Sequence, residues 1–135
     1  MSKRRLIDTN LVIRHLVQDH EKHAAVAEKL FAACDRGEII IVVLSVVLAE
    51  CVFVLESFYQ KPRAEIAVVL VKLITSPGVE IRDWPVHVDA LRRYGGSKGH
   101  FVDCVLAASA VAQGVAVATF DRDFGKFEDV RVEVE

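Results

Sequence analysis

The chain has few cysteines, few prolines and no marked excess of charge of either sign, and each shortage removes a class of protein. Its three cysteines, Cys34, Cys51 and Cys104, are odd in number, far apart and without a CxxC pair. That excludes a disulfide framework and predicts buried thiols in a reducing, cytoplasmic setting. The three prolines and seven glycines form no linker, and no repeat or low-complexity tract is present. Net charge is −2, from 17 basic and 19 acidic residues, so the composition as a whole does not mark a nucleic-acid binder. No aromatic stacking ladder is visible, because most of the seven phenylalanines fall in apolar stripes, and a base preference is therefore unreadable. No leader peptide is expected, since Ser2 to Arg5 runs directly into Leu6, Ile7 and then Asp8.

What is present describes one globular domain over residues 1–135. At this length a chain buries about 68% of its unfolded surface in a single core. An apolar fraction of 53% with 27% charged residues fits such a core and excludes disorder. One run is long enough to suggest a membrane span: Ile39 to Leu55, 17 positions with only Ser45 and Glu50 polar, at the lower limit for crossing a bilayer. Its β-branched opening, Ile39 to Val43, reads instead as a strand, and Ser45 as the N-cap of a helix from Val46. No membrane association is expected.

The same strand-then-helix alternation continues along the chain. Strands are expected at Arg5–Ile7, Ile39–Val43, Val79–Asp83, Val115–Thr119 and Val130–Val134. Between them Ala27, Leu30, Phe31 and Cys34 make a helical stripe stopped by Gly37, and Pro62 opens a helix striped by Ile66, Val69, Leu70, Leu73 and Ile74. Pro85 starts another that ends near Gly95 and Gly96, and Gly114 closes the small-residue helix of Ala107, Ala108, Ala110 and Ala112. The pattern predicts an α/β fold, a mainly parallel sheet covered by helices on both faces.

Four acids stand out against this background. Asp8, Glu50, Asp103 and Asp121 lie beside or within sequence that reads as buried, where an unpaired carboxylate is costly. Asp8 and Asp121 follow strands, and Glu50 and Asp103 fall about one turn into helices, so all four are assignable to the carboxyl edge of the sheet, where ligand sites form. Capping explains Asp8 and Asp121 equally well taken singly; it does not explain Glu50 or Asp103. A divalent cation would satisfy all four. Asp123, two residues past Asp121, is an additional or alternate ligand. Cys51 and Cys104 adjoin two of the acids but point about 100° away on a helix and stay outside the site.

The motifs Ile7-Asp8-Thr9-Asn10, Ser45 with Glu50, His100-Phe101-Val102-Asp103 with Ala107, and Thr119-Phe120-Asp121-Arg122-Asp123-Phe124 together resemble the PIN-domain ribonucleases, especially the VapC toxins of toxin-antitoxin pairs. The resemblance runs through the whole chain in order. Cys104 departs from the alanine that often follows the third acid in that family, without touching the acid itself. The resemblance implies a three-layer α/β/α fold, dependence on Mg2+ or Mn2+, cleavage of single-stranded or structured RNA, a homodimer, and inhibition by a cognate antitoxin.

The residue chemistry agrees. Hard carboxylate oxygens favour Mg2+ or Mn2+, and the histidines show no zinc spacing; His15, His20 and His23 read as a solvated helix face or loop. Asp8, Glu50, Asp103 and Asp121 are then ligands, directly or through water, with hydroxide as the nucleophile. Thr9, Asn10, Ser45 and Thr119 are candidates to hydrogen-bond those carboxylates or phosphate, each with a capping alternative. Setting the four acids aside leaves 17 basic against 15 acidic residues, and Lys3, Arg4, Arg5, Arg92, Arg93, Lys98, Arg122 and Lys126 are candidates for holding phosphates. Two other classes fit the same sheet edge: a receiver-like or phosphatase-like phosphoryl-transfer module, and an inactive interaction domain. The first normally pairs acids after the first strand, and neither Asp-Asp nor Asp-x-Asp occurs at Asp8; the intact acid set weighs against the second. Finally, Val47, Val54, Phe58, Val68 and Val71 in the hairpin Val46–Thr75 cannot all face the sheet, which predicts an interface there.

Overall fold

The computed structural model describes residues 3–133. It is a three-layer α/β/α arrangement in which helices and parallel strands alternate. Strand β1 (Lys3–Leu6) leads into α1 (Thr9–Val17) and α2 (Glu21–Asp35), and β2 (Ile39–Val42) into α3 (Ser45–Ser57) and α4 (Arg63–Ile74). Strand β3 (Val79–Glu80) is followed by α5 (Trp84–Gly95) and α6 (Phe101–Gln113), and then β4 (Val117–Ala118), a short 3-10 helix (Arg122–Lys126) and β5 (Val132–Glu133).

Every described strand pairing is parallel. In register, Lys3 faces Ile39 and Leu6 faces Val42, while Ile41 faces Val79, which puts β2 between β1 and β3. Strands β4 and β5 pair separately, Val117 with Val132. Strands β2 to β5 are shorter than the expected Ile39–Val43, Val79–Asp83, Val115–Thr119 and Val130–Val134, whereas β1 starts two residues before the expected Arg5–Ile7 and stops one short of its end. Val134, the end of the expected last strand, lies outside the described residues. The sheet is also less covered than expected. Ile7, Ile41, Val43 and Ile81 enter the core, but Leu6, on the alternate face of β1, is 70% exposed.

Helix boundaries follow local chemistry. Asp8 caps α1, its Oδ1 accepting from the Leu11 amide at 3.1 Å. His20 caps α2 with a ring nitrogen that accepts from the His23 amide at 3.2 Å. Pro62 stands immediately before α4 and Pro85 in the first turn of α5, where a missing N–H costs nothing. Gly114, at φ 67°, ends α6. Gly78 is required twice over: its φ is +82°, and a Cβ there would sit 2.7 Å from the Cys34 sulfur. The three cysteines are free and buried, as their spacing implied. The apolar run from Ile39 is divided between β2 and α3, and among the described residues no helix is long and apolar enough to cross a membrane.

The core is continuous from Val12 and Phe31 through Leu48, Val52 and Leu70 to Leu91, Cys104 and Ala107. Helix α5 packs against both α4 and α6, and the crossing with α4 is close enough that a Cβ on Gly95 would meet the Ala67 methyl at 2.8 Å. Arg63 locks this corner. Its Nε donates to the Tyr94 carbonyl at 3.2 Å, its Nη1 to Glu56 at 3.0 Å and its Nη2 to the Gly99 carbonyl, while its guanidinium lies 3.8 Å above the Tyr94 ring. Replacing Arg63 by Met leaves those acceptors unpaired and is expected to cost about 2–3 kcal/mol of stability. The change should show as a lower urea midpoint at unchanged slope. Arg63→Lys keeps the charge but not the planar fork and should fall between. An unmoved midpoint for Arg63→Met would mean that the corner is held by apolar packing alone.

Candidate active site

Strands β1, β2 and β3 run parallel and end on one edge, with Asp8 just past β1, whereas Asp121 follows β4 of the separate two-stranded sheet. Asp8 follows β1 and is exposed; one of its oxygens caps α1, which leaves the other outward. Thr9 and Asn10 are the first two residues of α1. Asn10 shares a shallow depression of about 240 Å³ with Asp8, Arg14 and His23. Glu50 lies on α3 between buried Leu48 and Cys51, on the exposed stripe shared with Val46 and Phe53. Asp103, the third residue of α6, is half-buried. Asp121 is exposed; its Oδ1 accepts from the Asp123 amide at 2.9 Å, and its own amide donates to Thr119 Oγ1 at 3.0 Å. Thr119 therefore braces the turn that presents Asp121, and Asp123 lies exposed just beyond it.

These placements correct the expectation that the acids are buried. They sit where strands and helices meet solvent, so water rather than a counter-charge satisfies them. Burial pushes the Cys51 thiol up to about 12, and the carboxylates of its chain neighbour Glu50 and of Asp8 both add to the shift. Asp103 acts instead on Cys104, whose thiol burial raises against the opposing effects of Ser97, Arg63 and Lys126. Helix α3, which carries Glu50, touches both α1, capped by Asp8, and α6, which carries Asp103. Among the described residues no three His, Cys, Asp or Glu side chains are grouped closely enough to hold one ion. Direct ligation by all four acids together is not what this arrangement presents.

The donor chemistry still fits a small hard cation. None of Asp8, Glu50, Asp103, Asp121 and Asp123 forms an ion pair among the described residues, whereas Asp19, Glu56, Glu80, Asp89 and Asp129 are all engaged by arginine. Mg2+ is commonly held by one or two carboxylates while keeping several waters, without a closed protein cage. Asp8 and Glu50, exposed and without counter-cations among the described residues, have the donor chemistry for such a site. The basic residues divide in the same way. Arg4 is committed to Glu80 at 2.5 Å, and Arg93 to Asp89 and Asp129. Lys3, Arg5, Arg92, Lys98, Arg122 and Lys126 are exposed and make no ion pair among the described residues.

Ser45 does not cap α3. The helix starts at Ser45 itself, the preceding Leu44 offers no capping side chain, and Ser45 Oγ lies 2.8 Å from His87 Nε2. His87 is only 6% exposed, and its Nδ1 lies 3.0 Å from the Asp83 carbonyl. A carbonyl only accepts, so His87 Nδ1 donates to Asp83, and in that tautomer Nε2 accepts from the Ser45 hydroxyl. Ser45 consequently offers lone pairs outward and has no proton for a carboxylate. His87 was overlooked in the sequence, although its spacing to Leu91 and Tyr94 places it on the buried stripe of α5. The other histidines are more structural than a solvated face implies: His15 stacks on Phe31 at 3.8 Å and bonds Glu28, and His20 stacks on His23.

Comparison with known proteins agrees with this geometry. Over 123 residues, covering 90% of each chain, the sequence is 26% identical to a VapC ribonuclease of Aquifex aeolicus (strain VF5). The family model described as PIN domain matches residues 5–130, from β1 to the loop before β5 and so across all of the candidate acids; the chain belongs to the PIN domain family.

Proposed function

We propose that the protein is a divalent-metal-dependent endoribonuclease and acts as the toxin of a type II toxin-antitoxin pair. The observation that carries this reading is the PIN-domain match over residues 5–130, which spans Asp8 and Glu50, exposed carboxylates without counter-cations among the described residues. Asp103 and Asp121 complete the acidic edge from α6 and the turn after β4, acting through water or on the approach of substrate; Asp123 is subordinate to Asp121. A divalent ion, Mg2+ or Mn2+, would supply Lewis acidity toward a phosphodiester and a more acidic water. The chain's own part is to hold that charge with Asp8 and Glu50, to present Asn10 beside them, and to offer phosphate-binding cations from Lys98, Arg122 and Lys126. The similarity to a VapC ribonuclease supports RNA as the polymer. A phosphatase-like reading lacks the second acid that should accompany Asp8, since Thr9 and Asn10 stand there.

Asp8→Asn, Glu50→Gln, Asp103→Asn and Asp121→Asn are each expected to remove most Mg2+- or Mn2+-dependent cleavage of labelled RNA. Asparagine caps a helix as well as aspartate does, so Asp8→Asn and Asp121→Asn separate lost charge from lost structure. Metal-free stability should hold or rise as carboxylate repulsion is relieved. Full cleavage by Asp8→Asn or Glu50→Gln would remove that residue from the site. Asp123→Asn should do less than Asp121→Asn. Transfer of a labelled phosphate to the protein, without RNA cleavage, would overturn the nuclease reading.

The partner surface is drawn from the α3–α4 hairpin. Phe58 is 75% and Val68 is 68% exposed, and Phe53 joins them, while Val47, Val54 and Val71 are half-buried beneath. Part of this face serves a homodimer and part a segment of the antitoxin. Phe58→Glu and Val68→Glu are expected to weaken self-association or antitoxin binding at least tenfold while leaving RNA cleavage intact; Val71, tucked further in, is the poorer probe. Sedimentation of the unmodified protein as a monomer, with no tight complex with the product of the adjacent upstream gene, would sink this assignment.

A further inference from the structure

One built feature of the surface has no part in the acid chemistry. A groove of about 850 Å³ runs along β3, from Ile74 before the strand to Arg82 and Trp84 past its end, and Arg4, Leu44 and Ser45 also line it. Trp84 is the sole tryptophan of the chain and is 54% exposed. Among the described residues it stacks on no ring and no cation lies over it. Arg82 is exposed and unpaired among the described residues, and the single acid of the lining, Glu80, is already neutralised by Arg4 at 2.5 Å. The groove thus combines a bare aromatic plane with a free guanidinium. Its rim carries Ser45, whose hydroxyl proton is committed to His87.

We propose that this groove seats an unpaired nucleotide of the RNA next to the scissile phosphate. The base lies on Trp84, its phosphate on Arg82, and a ribose hydroxyl donates to Ser45 Oγ. The assignment rests on the ribonuclease reading and adds the residues that grip the substrate. Three observations carry it. Strands β1, β2 and β3 are successive neighbours, so the end of β3 lies about 10 Å from that of β1 and Asp8, within reach of an adjoining nucleotide. An aromatic face beside a cation suits stacked bases and backbone phosphates, irrespective of sequence. A hydroxyl that can only accept selects a donor, and the 2′-hydroxyl is the donor that RNA has and DNA lacks. An apolar peptide segment would instead cover Arg82 without supplying a partner for its charge.

Because Trp84 is the only tryptophan, its emission reports on this groove alone. The full chain carrying Glu50→Gln, to prevent turnover, is titrated in Mg2+ with a single-stranded oligoribonucleotide that the unmodified protein cleaves. The abasic oligomer of equal length and the matching oligodeoxynucleotide are titrated in parallel. Quenching is expected with the oligoribonucleotide and not with the abasic oligomer. In the otherwise unmodified protein, Trp84→Ala should raise KM about 5- to 100-fold, the range of one lost stacking contact, with kcat little changed; Trp84→Phe should stay within about threefold. Ser45→Ala should bring the affinities for the ribo- and deoxy-oligomers together. Unchanged emission on binding an RNA that is cleaved, or Trp84→Ala with unaltered KM, would overturn the subsite while leaving the nuclease reading in place. If Trp84→Ala cleaves normally but no longer binds the antitoxin, the groove belongs to the protein partner and the nucleotide assignment is wrong. Absence of RNA cleavage by the unmodified protein in either metal would overturn the underlying reading instead.

Discussion

The Arg63 guanidinium is the interaction on which the arrangement of the helical layer turns. It starts α4, reaches back to Glu56 on α3, crosses to the last turn of α5 through the Tyr94 carbonyl and ring, and holds the Gly99 carbonyl just before α6. Those are the elements that carry Glu50 and Asp103. A planar donor with five N–H groups can satisfy acceptors in several directions at once, which neither an ammonium nor an apolar side chain can do. The corner it fills is otherwise built from small residues: Gly95 against Ala67, and Ala90, Ala107, Ala108 and Ala110 in the core. Close helix approach of this kind leaves little room to slide, so the position of α6 relative to α3 follows from one charged side chain and a set of missing methylenes.

The acids of the sheet edge carry two duties. Asp8 and Asp121 each give one oxygen to a backbone amide, of Leu11 and Asp123 respectively, and keep the other for solvent or a ligand. A cap is thus compatible with the role proposed for these acids, since it uses one of the two oxygens. Glu50 has no such anchor and is placed by the helix alone, while the thiol beneath it, Cys51, is kept protonated by burial and by the two nearby carboxylates. On the proposed reading, a cation held by these exposed carboxylates would keep coordination positions for water and a phosphate.

Much of this was legible in the sequence. The β-branched runs announced parallel strands, Pro62 and Gly114 marked helix ends, and the four spaced acid motifs identified the family before any geometry was known. What was not legible has a common cause. Helix α3 is apolar on its buried face, Leu48, Cys51, Val52 and Leu55, and also on its exposed one, Val46 and Phe53. Hydrophobicity around Glu50 therefore could not say which way it faced, and burial was inferred where exposure holds. Ser45 read as a cap for the same local reason: a serine before an apolar helix suits that role, and the histidine that takes its proton is far along the chain.

The sequence by itself determined what depends on neighbours along the chain: strand and helix order, the cap at Asp8, the free cysteines, and the positions of the acids proposed for the site. The tertiary structure alone decided that those acids stay out of ion pairs among the described residues, that Arg4 and Arg93 are spent on such pairs, that Ser45 bonds His87, and that Trp84 and Arg82 line one groove. These outcomes depend on contacts such as Ser45 with His87, and Arg4 with Glu80, which join residues distant in sequence. A pairing of that kind is set by the twist and packing of whole elements, and no local propensity encodes it.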